Sequence, residues 1–427
     1  MFDLYILSVL VFALLVAIYV FIDRKNFKRE FIVLLRRTQK GKRTVEKIGS
    51  SFPRFWKGVG YVGVAAGFYA SVFVFITLIQ NLVRVVSVGG PSGLSLVLPS
   101  PFQTVSTGPG VLAVPFWYWI IAIGLLVVVH EGMHGVLSAA HKIRIKSLGW
   151  GLFLIIPLAF VEPDEKQLQK RKTMTQMHIF AVGSLANFFV AFLCLLIATF
   201  VFAGVFTSSG VAFQTIIKDY PAQIANITGI ITSISSDKTY EIKNIDDLGN
   251  SLKQIGPNKE ISIKTITPNA SFQPQTVFSK SVFDKISSSP LSVLSINTYL
   301  DSTPLIVIQE NGEEKQYTIK TVENPSDPEA GFIGISNLYE VKKYTESSLP
   351  FSPAIGFIHG LIFFLFLINL GVGLANMMPI KPLDGGRMWD VLFKKISPKR
   401  AKDLITGFSY ITLLLIIANF VFPLIRF

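Results

Sequence analysis

Phe116-Trp-Tyr-Trp-Ile-Ile-Ala-Ile-Gly-Leu-Leu-Val-Val-Val-His130-Glu131-Gly132-Met133-His134-Gly-Val-Leu-Ser-Ala-Ala-His141 is the stretch on which the fold of this chain turns. It is long enough to cross a bilayer core of roughly 30 Å, which takes about 20 helical residues. Its one charged residue is Glu131. Two histidines four apart on a helix are rotated by about 400°, so both leave one face and can share one Zn²⁺ while the adjacent glutamate reaches the metal's water. The alternative is a pair of packing histidines, but Glu131 would then sit in an apolar helix at a cost of a few kcal/mol with nothing to offset it.

Five further apolar runs of spanning length flank this one: Leu4 to Ile22, about Gly60 to Val83, Ile179 to Phe206, about Ile355 to Ala375, and Leu404 to Leu424. The first has its basic residues (Arg24, Lys25, Lys28, Arg29) after the apolar run, the order of a retained anchor and not of a signal peptide. Half of the 427 residues are hydrophobic, 16% are charged and the mean hydropathy is +0.51, which excludes a water-soluble enzyme. The expected fold is a polytopic α-helical membrane protein of about six transmembrane helices. The single cysteine, Cys194, excludes a disulfide framework and a cysteine-based zinc site.

A net charge of +13 suggests a nucleic-acid partner until the charge is located. Residues Asp23 to Val59 carry 12 basic and 3 acidic side chains, Lys142 to His178 carry 7 and 3, and Asn376 to Asp403 carry 7 and 3. Ser87 to Pro115 has no charge, and Thr207 to Thr345 has 12 basic against 15 acidic residues. This alternation is membrane topology, with basic loops cytosolic. It excludes a nucleic-acid partner and places both termini and the 207–345 segment outside a cell membrane that the chain crosses several times. Two glycosylation-type sequons, Asn226-Ile-Thr and Asn269-Ala-Ser, lie in that outer segment.

The chain therefore divides into a two-span region with a basic loop (1–115), a first half of a membrane core (116–206), an outer domain (207–345) and a second half of the core (346–427). In the outer domain Gly229 to Ile234, Ile261 to Ile266, Leu305 to Gln309, Gln316 to Val322 and Gly331 to Ile335 read as strands, and Ile245 to Ile255 as an amphipathic helix. Tyr220 to Ile266 resembles a PDZ domain, making the outer segment an inserted α+β PDZ-like domain, with Thr267 to Pro304 as an insertion within it. Ser147 to Glu162 is apolar but too short and too broken by Gly and Pro to span; it is either an extended edge that pairs with backbone or a hydrophobic plug.

A catalytic zinc needs a third protein ligand. Asn376-Met-Met-Pro379-Ile-Lys381-Pro382-Leu383-Asp384-Gly385-Gly386 supplies a carboxylate on an irregular backbone, where Asp-Gly-Gly is expected to turn the chain back. Asp384 alone would read as an ordinary turn residue. Together with His130-Glu131-x-x-His134 and Gly183-Ser-Leu-Ala-Asn187, this block resembles the site-2 protease family of intramembrane metalloproteases, in particular the PDZ-containing archaeal and bacterial type. The resemblance implies His130, His134 and Asp384 as ligands of one Zn²⁺, Glu131 as general base, and Asn187 as a catalytic contact to the substrate backbone or oxyanion. Asn187 equally reads as an interhelical hydrogen bond, and Asn376 as a helix C-cap. His141 and His178 are expected to be solvated and His359 to pack within the helices.

The implied activity is zinc-dependent hydrolysis of peptide bonds in transmembrane segments of other proteins, with the lipid bilayer as solvent and an earlier-cutting protease as a further partner. His130 lies 11 residues before His141, about 16 Å along a helix, so the metal is expected inside the bilayer toward the cytosolic side. Two other classes compete: a catalytically silent scaffold that binds transmembrane helices, and a zinc transporter. A transporter needs ionisable residues on several spans.

Overall fold

The computed structural model describes residues 4–30, 33–87, 93–102, 105–108, 110–153, 156–202, 204–267, 306–308 and 313–425. Six helices among them are long and apolar enough to cross a membrane. Four of these are α1 (Leu4–Ile22), α3 (Pro53–Ser87), α4 (Phe116–Ala140) and α6 (Thr173–Val201), with the short α2 (Lys42–Ser51) and α5 (Glu165–Gln169) between them. The other two are Ser352–Asn376 and Ala401–Ile425, separated by a shorter helix, Asp384–Ile396. The hydrophobic runs in the sequence thus each become one helix, because backbone polar groups at membrane depth must be paired within their own segment.

The chain forms two compact units, one holding Met1–Cys194 and Phe364–Phe427, the other the chain between them. In the first unit α4 and α6 share a buried cluster of Val136, Leu137, Ile179 and Val182, joined by Leu168 from α5. Another cluster joins α3 (Val74, Leu78) and α6 (Met177, Ala181) to Leu374, Met377 and Met388. By contrast α1 has no buried residue.

The first unit also holds sheet structure. Strands β1 (Phe27–Glu30), β2 (Val33–Thr38), β6 (Ile145–Phe153) and β7 (Ile156–Pro163) form an antiparallel sheet in the order β1-β2-β6-β7. The segment with two readings in the sequence, Ser147 to Glu162, therefore lies in two antiparallel strands, and β7 is the edge strand of this sheet among the described residues. The uncharged stretch before α4 contributes β3 (Leu96–Ser100), β4 (Ser106–Gly108) and β5 (Val111–Pro115) as a small sheet.

The second unit is built on a sheet in the order β12-β16-β8-β9-β11-β13, with β10 on β9. Its strands are β8 (Phe206–Ile216), β9 (Ile230–Ser235), β10 (Thr239–Glu241), β11 (Glu260–Thr267), β12 (Ile306–Ile308), β13 (Glu313–Lys320) and β16 (Ile335–Tyr344), and β14 (Val322–Asn324) pairs separately with β15 (Asp327–Phe332). Ile245–Ile255 is a helix with the bounds read from the sequence. Asn244 caps it by accepting from the Asp247 N–H at 2.8 Å, and Gly256 ends it at a φ of +75°. Ile231, Ile234, Leu248, Ile261 and Ile263 form the core. The fourth apolar run ends earlier than Phe206: α6 stops at Val201 and Phe206 opens β8. Residues 268–304 of the expected insertion, and the Asn269 sequon with them, lie outside the described residues.

Candidate metal centre

The i, i+4 spacing on α4 brings the rings of His130 and His134 to 4.9 Å between centroids. Asp384 reaches them from the start of the Asp384–Ile396 helix, its Oδ2 lying 3.2 Å from Nε2 of each histidine. The three donor atoms all lie within 4.8 Å of one another. Ligands about 2.0–2.2 Å from a tetrahedral Zn²⁺ stand roughly 3.3 Å apart, so the two histidine-to-carboxylate spacings suit that ion.

Helix α6 supplies the back wall. A Cβ at Gly183 would sit 2.5 Å from His134 Nε2 and 2.6 Å from His130 Nε2, closer than atoms can approach. Bare backbone there leaves the two Nε2 atoms their room. His134 Nδ1 is 2.6 Å from the Ile179 carbonyl oxygen. A carbonyl only accepts, so Nδ1 holds the proton and Nε2 presents its lone pair toward Asp384, the tautomer a metal requires. Asn187, fully buried, places Nδ2 3.1 Å from His130 Nδ1.

Asp-Gly-Gly does not turn the chain back. Asp384, Gly385 and Gly386 are the first residues of a helix, and the irregular backbone precedes them. The Ser352–Asn376 helix unwinds through Met377 N–H to Leu374 O (3.0 Å) and Met378 N–H to Ala375 O (3.1 Å), and Leu383 N–H returns to Ile380 O at 2.8 Å. The new helix starts directly against that loop: a Cβ at Gly385 would lie 2.2 Å from Met377 O, so only glycine fits. A carboxylate in the first turn also meets the positive end of the helix. Lys381 and Lys394 each donate to Asp390 Oδ2 at 2.8 Å, fastening the loop to the helix. Burial pushes the Asp390 carboxyl upward, but the two ammonium groups prevail and hold it below its ordinary value.

Glu131 faces a different neighbour. Its Oε2 accepts the Val161 N–H at 3.0 Å, tying α4 to the edge strand β7. A cavity of about 490 Å³ runs past His130, Glu131, His134, Leu158, Phe160 and Asp384, with Asn376 and Arg387 also on its wall. A cavity of about 540 Å³ lined by Phe12, Val16, Phe116 and Trp150 has neither histidine nor carboxylate and cannot hold the chemistry.

All five residues singled out in the sequence thus fall in one small region, four lining the cavity and Asn187 behind His130. The remaining histidines divide. His178 is 2% exposed and lies 3.1 Å from His141, so it is not solvated as its position near a basic loop suggests. His359 is buried among Phe202 and Phe206, as expected. Two contributors escaped sequence reasoning: the Ile179 carbonyl and the Val161 N–H are backbone groups and leave no mark in side-chain identity.

Comparison with known proteins gives two findings. The family model for peptidase family M50 matches residues 118–416, a span that includes all five residues singled out in the sequence. A protein of Methanocaldococcus jannaschii described as uncharacterized is 26% identical over 267 residues, covering 62% of this chain and 67% of that one.

Proposed function

The chain belongs to peptidase family M50, the site-2 proteases, and from that premise we propose that it is a zinc-dependent intramembrane protease cutting peptide bonds within the transmembrane segments of other membrane proteins. The observation that carries this reading is the meeting of Asp384 with His130 and His134 of α4, a helix whose one charged residue is Glu131. A scaffold would have no use for such a constellation. A transporter would spread ionisable groups over several spans, whereas α1, α6 and Ser352–Asn376 contain no Asp, Glu, Lys or Arg.

His130, His134 and Asp384 hold the ion in this reading. A bound Zn²⁺ supplies Lewis acidity at that point. Glu131, on the wall of the same cavity, would take a proton from the attacking water and return it to the leaving amine. The helix of a substrate hides its scissile amide in i to i−4 hydrogen bonds, so cleavage needs that segment unwound and its backbone paired elsewhere. The β7 edge beside the cavity supports such pairing by strand addition, with Leu158 and Phe160 on the cavity wall.

The alternating loop charges support cytosolic basic loops, with both termini and the 207–345 segment on the opposite side and the metal nearer the cytosol. The 207–345 segment, PDZ-like by its Tyr220 to Ile266 pattern, filters substrates by the size of their outer part, so an earlier protease must trim them first. This last role rests on family analogy.

The test is metal content together with cleavage of a model transmembrane peptide, for the parent protein and for Glu131→Gln. The variant loses the base and no ligand, so it is expected to hold zinc at parental stoichiometry and to cleave at least about 100-fold more slowly. Parental turnover by Glu131→Gln would refute the mechanism, and a parent protein without zinc would refute the reading as a whole.

A further inference from the structure

We infer that Asn187 is a positioning residue: it accepts the Nδ1 proton of His130 and so fixes the tautomer and tilt of that ring, a role different from the substrate contact implied by resemblance. The inference rests on the zinc reading above. It starts from an imbalance at a fully buried side chain. Asn187 presents Nδ2 to His130 Nδ1 at 3.1 Å while its Oδ1 has no hydrogen-bond partner among the described residues. A buried amide oxygen left unpaired costs about 1–3 kcal/mol.

The chemistry of the ring decides which amide atom faces it. His130 Nε2 points at Asp384 Oδ2, and a histidine that ligates through Nε2 carries its proton on Nδ1. Nδ1 is then a donor, and its partner must accept. A half-turn of the Asn187 amide, whose oxygen and nitrogen are nearly the same size, puts Oδ1 at that 3.1 Å position. One rotation therefore gives His130 Nδ1 an acceptor and Oδ1 a donor, and carries Nδ2 to the position at which Oδ1 stands unpaired. In this arrangement the imidazole stands between Asn187 and the donor atoms around Asp384, so the amide acts through His130 and not on a reacting atom.

The neighbouring contacts follow the same plan. Ile179, Gly183 and Asn187 succeed one another at four-residue intervals on α6, so they form one row along its surface. The first gives its carbonyl to His134 Nδ1, the second gives up its side chain to make room for both Nε2 atoms, and the third serves His130 Nδ1. A single helix face thus holds both rings from behind, as outer partners of metal-binding histidines generally do.

Full-length protein in detergent, as parent, Asn187→Asp, Asn187→Leu and Asn187→Ala, distinguishes this role from packing and from substrate contact. Zinc affinity by competition with a fluorescent chelator is the primary readout, followed by cleavage of a transmembrane peptide at saturating zinc. Asn187→Asp keeps an acceptor and is expected to bind zinc within about 3-fold of the parent or more tightly, while Leu, similar in size but without an acceptor, and Ala are both expected to bind about 10- to 100-fold more weakly. Parental zinc affinity in Asn187→Leu would make the residue a packing element and overturn the inference. So would parental affinity in all variants with a lowered turnover number, the pattern of a substrate contact. If Leu and Ala do not fold, Asn187→Asp decides: a loss of 10-fold or more in zinc affinity overturns the inference. A parent protein that binds no zinc instead removes the zinc reading on which this depends.

Discussion

The metal region and the sheet of the second unit are held together by opposite means. Around the histidines the structure depends on atoms that are missing, with bare backbone at Gly183 against two ring nitrogens and at Gly385 against Met377 O. In the second unit it depends on aliphatic mass, since Val211, Ile231, Ile234, Leu248, Ile261 and Ile263 are all 1% exposed or less. The difference teaches where each region is brittle. A methyl group added beside the two histidine rings has nowhere to go, whereas a methyl group removed from the sheet core leaves a cavity that its neighbours partly fill.

Gly183→Ala is the sharpest way to break the comparison. Its Cβ would displace the ligating nitrogens, so the variant is expected to lose at least about 100-fold in zinc affinity and all measurable cleavage. Helix content should be unchanged, because alanine favours helix over glycine. Circular dichroism with metal analysis checks this, and a zinc-replete Gly183→Ala protein would show that the cradle yields. Ile234→Ala tests the other side. Deleting that buried side chain is expected to destabilise the second unit by about 2–5 kcal/mol, read as faster amide exchange in β9 and β11, while zinc stoichiometry stays parental. Zinc loss in Ile234→Ala would mean that the two regions do not differ as described.

The smallest effect concerns the clamp on the metal loop. Asp390→Asn removes the anion shared by Lys381 and Lys394, with an expected loss of about 1–2 kcal/mol, since both lysines are substantially exposed. Because the Asp390 carboxyl is held below its ordinary value in the folded protein, its contribution is complete above the unfolded pKa of roughly 3.9 and disappears as pH falls through the folded value. Thermal unfolding of parent and variant should therefore differ at pH 7, and the gap should shrink as pH falls below about 4. A gap that stays at its pH 7 size down to the lowest pH at which the protein folds would locate the stabilisation in something other than the ion pairs.

How much of this was legible in the sequence depended on how local the cause was. The six spans, the histidine pair and the Ile245–Ile255 helix follow from composition and periodicity within one segment; the last appears with the same bounds, whereas α3 starts seven residues before Gly60 and α6 starts six residues before Ile179 and stops five before Phe206. Strands β1 and β2 were not legible, because Phe27–Glu30 is mostly charged and its pairing depends on β6, more than 100 residues later. The start of β8 was hidden in an apolar run continuous with α6, where hydrophobicity does not distinguish helix from strand. Asp384-Gly-Gly carries an ordinary turn signal, and what makes it helical is the closeness of the Met377 backbone, which no local pattern encodes.

The carbonyl of Ile179 has a consequence for inheritance. Of the two groups that support the histidine rings from α6, Asn187 can be erased by a single codon change, but the oxygen that holds His134 belongs to the main chain and is present whatever residue occupies position 179. Alanine scanning would score that position only for its packing and would pass over its contact with the metal site. Sequence drift at 179 is correspondingly free to follow the packing demands of the core around it, because the hydrogen bond to His134 is written in the backbone and not in the genetic text.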